Sequence, residues 1–434
     1  MYSDFLASLS FAPTESAILY TAEGKTPETE DPFEKFRFNP DFGEGLGGKK
    51  QPFTFIFRWN SSCQSTAPDK PKFALVELKS KENVRFGQAV FSPKSDNVIY
   101  ATGYEFTSDG RILGLKFCAN RPSGIWKLWI DRRSLPELDD IKLNPVPATV
   151  TFQKLTPSSL SCRSPRTFER YGGSTLAWLA NPTGGAHLGA SALYCLDISI
   201  DSEFESDNNS YLKFTETPLV PITDDIPSSP DVFPGLFPSF NLPSSPKIVT
   251  ELESEPVPSL VFHSQWGSRT TVLLISTKNG SVVDLTPANK EERLYSWTVL
   301  ATDGQSRVVC QRSSTSVPYE IYLGYFNNTG FVSWHLIDKP DLPKHSKLFS
   351  PLWYLLTLLS FIVVEEALST IRTSIVPIPN REPFETILVQ RKSRDRPTTI
   401  PPLITFPHGG PHNTTSTAFS PTTTALALEG CESK

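Results

Sequence analysis

One pattern limits this chain more than any other: a polar turn carrying Pro, followed at once by a short apolar strand, recurs along it. SFAPTESAILYTAEG at 10–24 puts Pro13 and Glu15 in the turn and Ala17 to Tyr20 in the strand. FSPKSDNVIYATG at 91–103 echoes it. A third copy is SCRSPRTFERYGGSTLAWLA at 161–180, with Ser164-Pro165 ahead of the turn. A weaker fourth is PSLVFHSQ at 258–265, leading into TVLLIST at 271–277 and GSVVDLT at 280–286. Closing strands that end in Asp follow, IWKLWID at 125–131 and ALYCLD at 192–197. A small sheet cannot cover both of its own faces, so repeated units of short strands must stack on one another. The fold expected is therefore mainly β, a β-propeller, with an irregular β-sandwich as the alternative. The spacing is loose: Phe91 to Ser164 is 73 positions, against about 40–50 in tight blade families. The excess reads as loops.

Composition supports this reading. Thirty-nine Pro, 29 Phe and a single Met disfavour a helical bundle and favour strands with many corners. PFTFIFRW at 52–59 alternates Phe53, Phe55, Phe57 and Trp59 at period two, a half-buried strand, and FALVEL at 73–78 is another. Residues 26–50 read as a polar loop. The stretch 199–256, rich in acid, Ser and Pro, reads as a surface insertion. The net charge of −5 gives no basic face for nucleic acid. Six scattered cysteines (Cys63, Cys118, Cys162, Cys195, Cys310, Cys431) lack C-x-x-C spacing, which suits free thiols in a reducing compartment. No basic n-region opens the chain, so the N-x-S/T matches at Asn60, Asn208, Asn279, Asn327 and Asn413 read as chance. Leu348 to Val364 is a run of 17 uncharged residues, at the low edge of the ~17–25 that span a bilayer.

After residue 376 the character changes. FETILVQ at 384–390 and PLITFP at 402–407 read as strands, and AFSPTTTALALEG at 418–430 as the start of a helix. Between the second strand and the helix lies His408-Gly409-Gly410-Pro411. A Gly-rich turn after a strand is where α/β-hydrolases place a backbone N–H against a developing oxyanion. Any strand-ending turn with two glycines would look the same. His408 and His412 are four apart, but the turn between them spoils helical geometry and no acid or Cys is near, so no metal is expected. No G-x-S-x-G occurs. GGSTL at 172–176 and GASAL at 189–193 come nearest, both within propeller strands and without the last Gly. None of the six histidines (His187, His263, His335, His345, His408, His412) follows a nucleophile and an acid in hydrolase order. No hydrolysis by this chain alone is expected, because a triad needs all three roles in one place.

These stretches taken in order resemble acylaminoacyl-peptidases of the prolyl oligopeptidase family of serine peptidases. FPHGGPHNTTSTAF at 406–419 looks like that group's strand–turn–helix entry. LGLKFCANRPSGIWKLWID at 113–131, VFHSQWGSRTTVLLISTKNGSVVDLT at 261–286 and SWTVLATDGQSRVV at 296–309 follow in register. The match leaves gaps at 26–50, 199–256 and 344–376. The resemblance implies a seven-bladed propeller over residues 1–343, a linker at 344–376, and the first strands of an α/β-hydrolase domain at 377–434. It implies a cytosolic enzyme, often oligomeric, that releases an N-acylated residue from short peptides without a cofactor. The propeller would screen substrates by size. It places the N–H of Gly410 in the oxyanion hole, with His408 ordering the turn. No position for the triad Ser, Asp or His carries over. By this resemblance the chain starts inside the first blade and stops before the nucleophile. The run 348–364 has no family counterpart; it reads as translated non-coding sequence, with a buried helix or a membrane segment as alternatives. Two other functions stay open: a non-catalytic propeller scaffold, and a dipeptidyl-peptidase-like relative anchored through 348–364.

Overall fold

The computed structural model describes residues 5–24, 30–33, 36–37, 41–43, 45–48, 51–60, 72–138, 144–170, 172–198, 217–223, 227–252, 255–287, 289, 292–327, 330–342, 364–392, 402–410, 413–430 and 432–433. They fall into two compact units. The first is Met1–Ile222 with Pro238–Ser244, the second Thr223–Phe237 with Ser245–Lys434.

Unit 1 holds three sheets. Strands β1 (Leu9–Phe11), β2 (Ala17–Glu23), β3 (Pro52–Trp59) and β4 (Phe73–Leu78) form an antiparallel meander. A second meander is β5 (Val84–Ser92), β6 (Ser95–Glu105) and β7 (Ser123–Ile130). The chain then returns to the first sheet as β8 (Val146–Ala148), parallel to β4, before β9 (Val150–Lys154) completes the second. The third sheet is β10 (Leu160–Arg170), β11 (Gly173–Pro182) and β12 (Ala192–Ile198).

Strand β6 shows why such sheets need one another. Successive side chains of a strand point to opposite faces. Ile99 and Ala101 enter one core cluster with Leu19, Ile56 and Trp126, whereas Val98 and Tyr100 enter another with Leu176 and Trp178. Both faces are covered, so N-V-I-Y-A-T-G-Y reads as a continuous buried run rather than an alternating one. In the second cluster Trp178 stacks on Tyr194 at 5.4 Å between ring centroids.

Unit 2 repeats the plan. One meander is β13 (Lys247–Leu252), β14 (Glu255–Trp266), β15 (Arg269–Ser276) and β16 (Val282–Asp284). The next is β17 (Ser296–Thr302), β18 (Arg307–Ser314), β19 (Val317–Phe326) and β20 (Val332–Asp338). Val261, Val272 and Leu274 of the former pack with Trp297, Val299 and Val308 of the latter. Its last part differs in kind. Helix α1 (Val364–Ser369), β21 (Ile371–Pro377), β22 (Glu385–Arg391), β23 (Leu403–Ile404), α2 (Pro421–Leu428) and β24 (Glu432–Ser433) form a mixed sheet ordered β21-β22-β24-β23. β23 and β24 are parallel and joined through α2, a single βαβ unit.

The repeat, the alternating strand at 52–59 and the late change in character are all seen. The structure revises other readings. Ser164-Pro165 precedes the β10–β11 turn as read, but sits inside β10 itself, where register slips between Arg163 and Arg166 and Ser164 has φ of 57°. β5 slips likewise between Gly87 and Val90, around Gln88 with φ of 52°. These are β-bulges, invisible to a period-two reading. The stretch 199–256 is surface only in part. Residues 199–216 lie outside the described residues, but Val220 bridges to Leu193, Leu236 and Leu242 are buried, and 247–252 is strand β13. Acidic and Ser/Pro-rich neighbours hid those few apolar anchors. Residues 364–376, read as linker, form α1 and β21. Five meander sheets are seen among the described residues, and no complete α/β-hydrolase sheet. Of the run Leu348 to Val364 only Val364 is described. Among the described residues no helix is long and apolar enough to cross a membrane.

Candidate functional site

The chain that follows the His408 turn is fixed by a capped helix and by hydrogen bonds to unit 2. Ser420 caps α2, accepting from the Thr423 N–H, with Pro421 at the first helical position, a combination that starts helices well. Ala427 and Leu428 then pack on Ile371, Ile387 and Val389 of β21 and β22. Upstream of the cap, the Thr417 N–H donates to Ser268 O at 2.8 Å, and its hydroxyl lies 3.1 Å from Ser296 Oγ. The Phe419 N–H donates to Ser313 Oγ at 3.1 Å, and Thr424 Oγ1 to Thr315 O at 2.8 Å. Glu385 of β22 accepts from the Ser268 N–H at 2.7 Å. Residues 417–424 are thus bolted to the β14–β15 and β18–β19 corners of unit 2 by buried polar contacts, which are worth most when out of water.

The turn itself is open. His408, Gly409 and Gly410 are exposed, and so are Leu403 and Phe406 on either side of β23's end. Gly410 has φ of +70°, a left-handed conformation that favours glycine. Gly409 needs no such freedom, and a Cβ at either position would meet nothing within 4 Å. Crowding in this chain is therefore not what selects glycine here; at Gly410 the backbone angle is. Among the described residues no acceptor engages the Gly410 N–H, and Gly410 O accepts from Asn413 N at 3.4 Å. A free N–H at the tip of a turn that leaves a parallel strand is what an oxyanion donor requires. Pro411 and His412 lie outside the described residues.

The other sequence candidates fall away on their surroundings. Ser174 and Ser191 are buried in β11 and beside β12; Ser191 Oγ accepts from Arg163 Nη2 at 2.9 Å and donates to Asn181 at 3.0 Å. The described cysteines Cys118, Cys162, Cys195 and Cys310 are free. Burial pushes the Cys162 and Cys195 thiols up to about 12, away from the thiolate a nucleophile needs. His263 accepts from the Val299 N–H at 3.2 Å, and desolvation holds it down at about 4. His335 packs on Tyr325. Cys63, Cys431 and His345 lie outside the described residues. Among the described residues no three His, Cys, Asp or Glu side chains cluster as a metal site would require.

The residues that build the five meander sheets match a known family. The model of the acylamino-acid-releasing enzyme N-terminal domain covers residues 6–347. The chain belongs to this family. Similar proteins include the acylamino-acid-releasing enzyme of Arabidopsis thaliana, 27% identical over 90% of this chain and 46% of the relative. The Homo sapiens enzyme of the same name is 25% identical over 96% of this chain and 51% of its own length. The chain thus spans about half the length of the relatives it matches. Prolyl oligopeptidase B from Galerina marginata shares the fold at 10% identity, with a TM-score of 0.51 over 98% of this chain and 44% of that one. The family places the chain in a serine peptidase lineage with a β-propeller-type fold.

Proposed function

We propose that this chain is the substrate-screening propeller and the first α/β unit of a cytosolic serine exopeptidase that removes N-acylated residues from short peptides. The observation that carries the proposal is the Gly410 N–H, which no described residue engages, in the turn that follows the parallel strand β23. In this reading residues to 343 are propeller, of seven blades when two sheets are added to the five seen. The terminal sheet from β21 onward opens the hydrolase domain. His408, Gly409, Gly410 and Pro411 form the oxyanion turn, and Gly410 donates. The nucleophile, acid and base come from residues outside these 434. The chain alone binds without hydrolysing, needs no cofactor or metal, does not engage nucleic acid, and works in a homo-oligomer.

The mechanism asks one thing of this chain's chemistry: a preorganised donor where negative charge develops. Removing one such donor costs about 10²–10³ in kcat. The test replaces Gly410 with glycolate, which removes the N–H and keeps the left-handed turn. It is made in the polypeptide that carries both this chain and the nucleophile, with N-acetyl-L-alanine p-nitroanilide as substrate. We expect kcat to fall about 100-fold or more while KM stays within a fewfold. An unchanged kcat removes Gly410 from the oxyanion hole. Absence of turnover in the unsubstituted polypeptide overturns the peptidase reading and favours a binding scaffold.

A further inference from the structure

Glu385 and Thr417 stand on either side of the candidate turn in sequence, and one hairpin tip in unit 2 holds both. The tip is Gly267-Ser268, which joins β14 to β15. Trp266 pairs with Arg269, so the loop has two residues, and Gly267 has φ of +58°, a conformation that such tight loops reserve for glycine. Backbone groups at a hairpin tip ordinarily face water. Here Ser268 is buried, its N–H donates to Glu385 Oε1 at 2.7 Å, and its C=O accepts from the Thr417 N–H at 2.8 Å. Thr417 is wholly buried, with its hydroxyl 3.1 Å from Ser296 Oγ. A Cβ on Gly267 would stand 2.9 Å from Glu385 Oε1, so a side chain there would push the carboxylate off the Ser268 N–H.

The candidate turn has no comparable support of its own. Among the described residues the hydrogen bonds of 408–416 are local ones, such as Asn413 N–H to Gly410 O at 3.4 Å and Thr414 N–H to Asn413 Oδ1 at 2.9 Å. Strand β23, which leads into the turn, is two residues long. Thr417 is therefore the first firmly held residue after Gly410. Glu385 lies on β22, in the same sheet as β23, so the Ser268 tip ties the sheet before the turn and the chain after it to one point. A donor serves an oxyanion only where it is aimed beforehand, and small misplacements are costly. We propose that Glu385 is a positioning residue for the Gly410 N–H, acting through the Ser268 tip. The proposal rests on the reading of Gly410 as an oxyanion donor and extends it to the residues that hold that donor in place.

The test is a double-replacement cycle in the polypeptide that carries both this chain and the nucleophile. The substrate is N-acetyl-L-alanine p-nitroanilide, and kcat is referred to active sites counted by exhaustive fluorophosphonate labelling, so misfolded molecules do not enter it. Glu385→Met removes the acceptor and keeps the bulk. We expect kcat to fall about tenfold, less than the ~10²–10³ for losing a donor outright, with KM within about twofold. Glu385→Gln, whose amide oxygen can accept the same bond, should recover most of that loss, and Gly267→Ala should reproduce it. With Gly410 replaced by glycolate, Glu385→Met should cost nothing further, because no donor is left to misplace. A merely structural role would give the same loss in both backgrounds. That result, or an unchanged kcat for Glu385→Met, overturns the positioning role and leaves the oxyanion reading standing. Where glycolate alone leaves kcat unchanged, the oxyanion reading falls and the proposal falls with it. Gly267→Ala, taken through the same cycle, decides where Glu385→Met does not fold.

Discussion

At the scale of the residue, burial separates groups that hold the fold from groups that could react. His263 is an example. Its ring accepts a backbone hydrogen bond from β17 and is held neutral, its pKa lowered to about 4 by desolvation from an ordinary value of 6.5. The sign follows from proton counts. Between pH 6.5 and 4 the unfolded chain binds the proton and the folded chain does not, so stability falls as pH falls through that window. The effect is on the order of 2–3 kcal/mol. Urea unfolding of unit 2 followed from pH 7 to 4 should show the loss, and His263→Gln, which does not titrate, should flatten it. An identical pH profile in the variant would show that another group is responsible. Gly410 illustrates the opposite case: an exposed residue whose backbone angle, not its packing, explains its identity.

At the scale of the element, strands that alternate or run fully apolar were legible, and irregular ones were not. Pro52–Trp59 and Phe73–Leu78 are strands within the limits read from their side-chain pattern. The bulges at Gln88 and Ser164 were missed because they break that pattern, and they turn out to matter. Gln88 Oε1 accepts from the Ser164 N–H at 2.8 Å and from Thr102 Oγ1 at 2.7 Å, and Ser164 Oγ accepts from the Leu242 N–H at 2.8 Å. Beside them, Arg163 donates to Phe240 O at 3.1 Å, and Arg166 to Pro243 O at 2.6 Å and Leu242 O at 2.5 Å. Both guanidiniums are buried, and desolvation lowers each to about 10, so they stay charged at neutral pH. They hold residues 238–244 against β10, through backbone carbonyls that leave no mark in sequence. Two charge-assisted bonds at ~1.5–3 kcal/mol each predict that Arg166→Ala destabilises unit 1 by about 3 kcal/mol. The same change should speed proteolysis within 238–244. A change in stability below about 1 kcal/mol would show that other contacts hold this segment. The candidate turn was legible because a short motif lay between a strand and a helix. The hydrogen bonds that fix residues 417–424 were not, since they run to Ser268, Ser296, Ser313 and Thr315, more than 100 positions away.

At the scale of the whole molecule, the chain combines five meander sheets with one βαβ unit, and its relatives are about twice its length. The fold class was readable because the repeat is a matter of local turn and strand chemistry. The division into two compact units was not, because it depends on where Pro238–Ser244 packs. The central claim is that this chain supplies the screening sheets and an oxyanion donor, and that the nucleophile lies elsewhere in the same polypeptide. The most direct measurement is to isolate from source cells the polypeptide that contains this sequence, react it with a fluorophosphonate, and locate the labelled serine by peptide mass spectrometry. The account predicts one labelled serine, in a G-x-S-x-G segment outside residues 1–434. Label on a serine within 1–434, or none on any serine of the polypeptide, would contradict it.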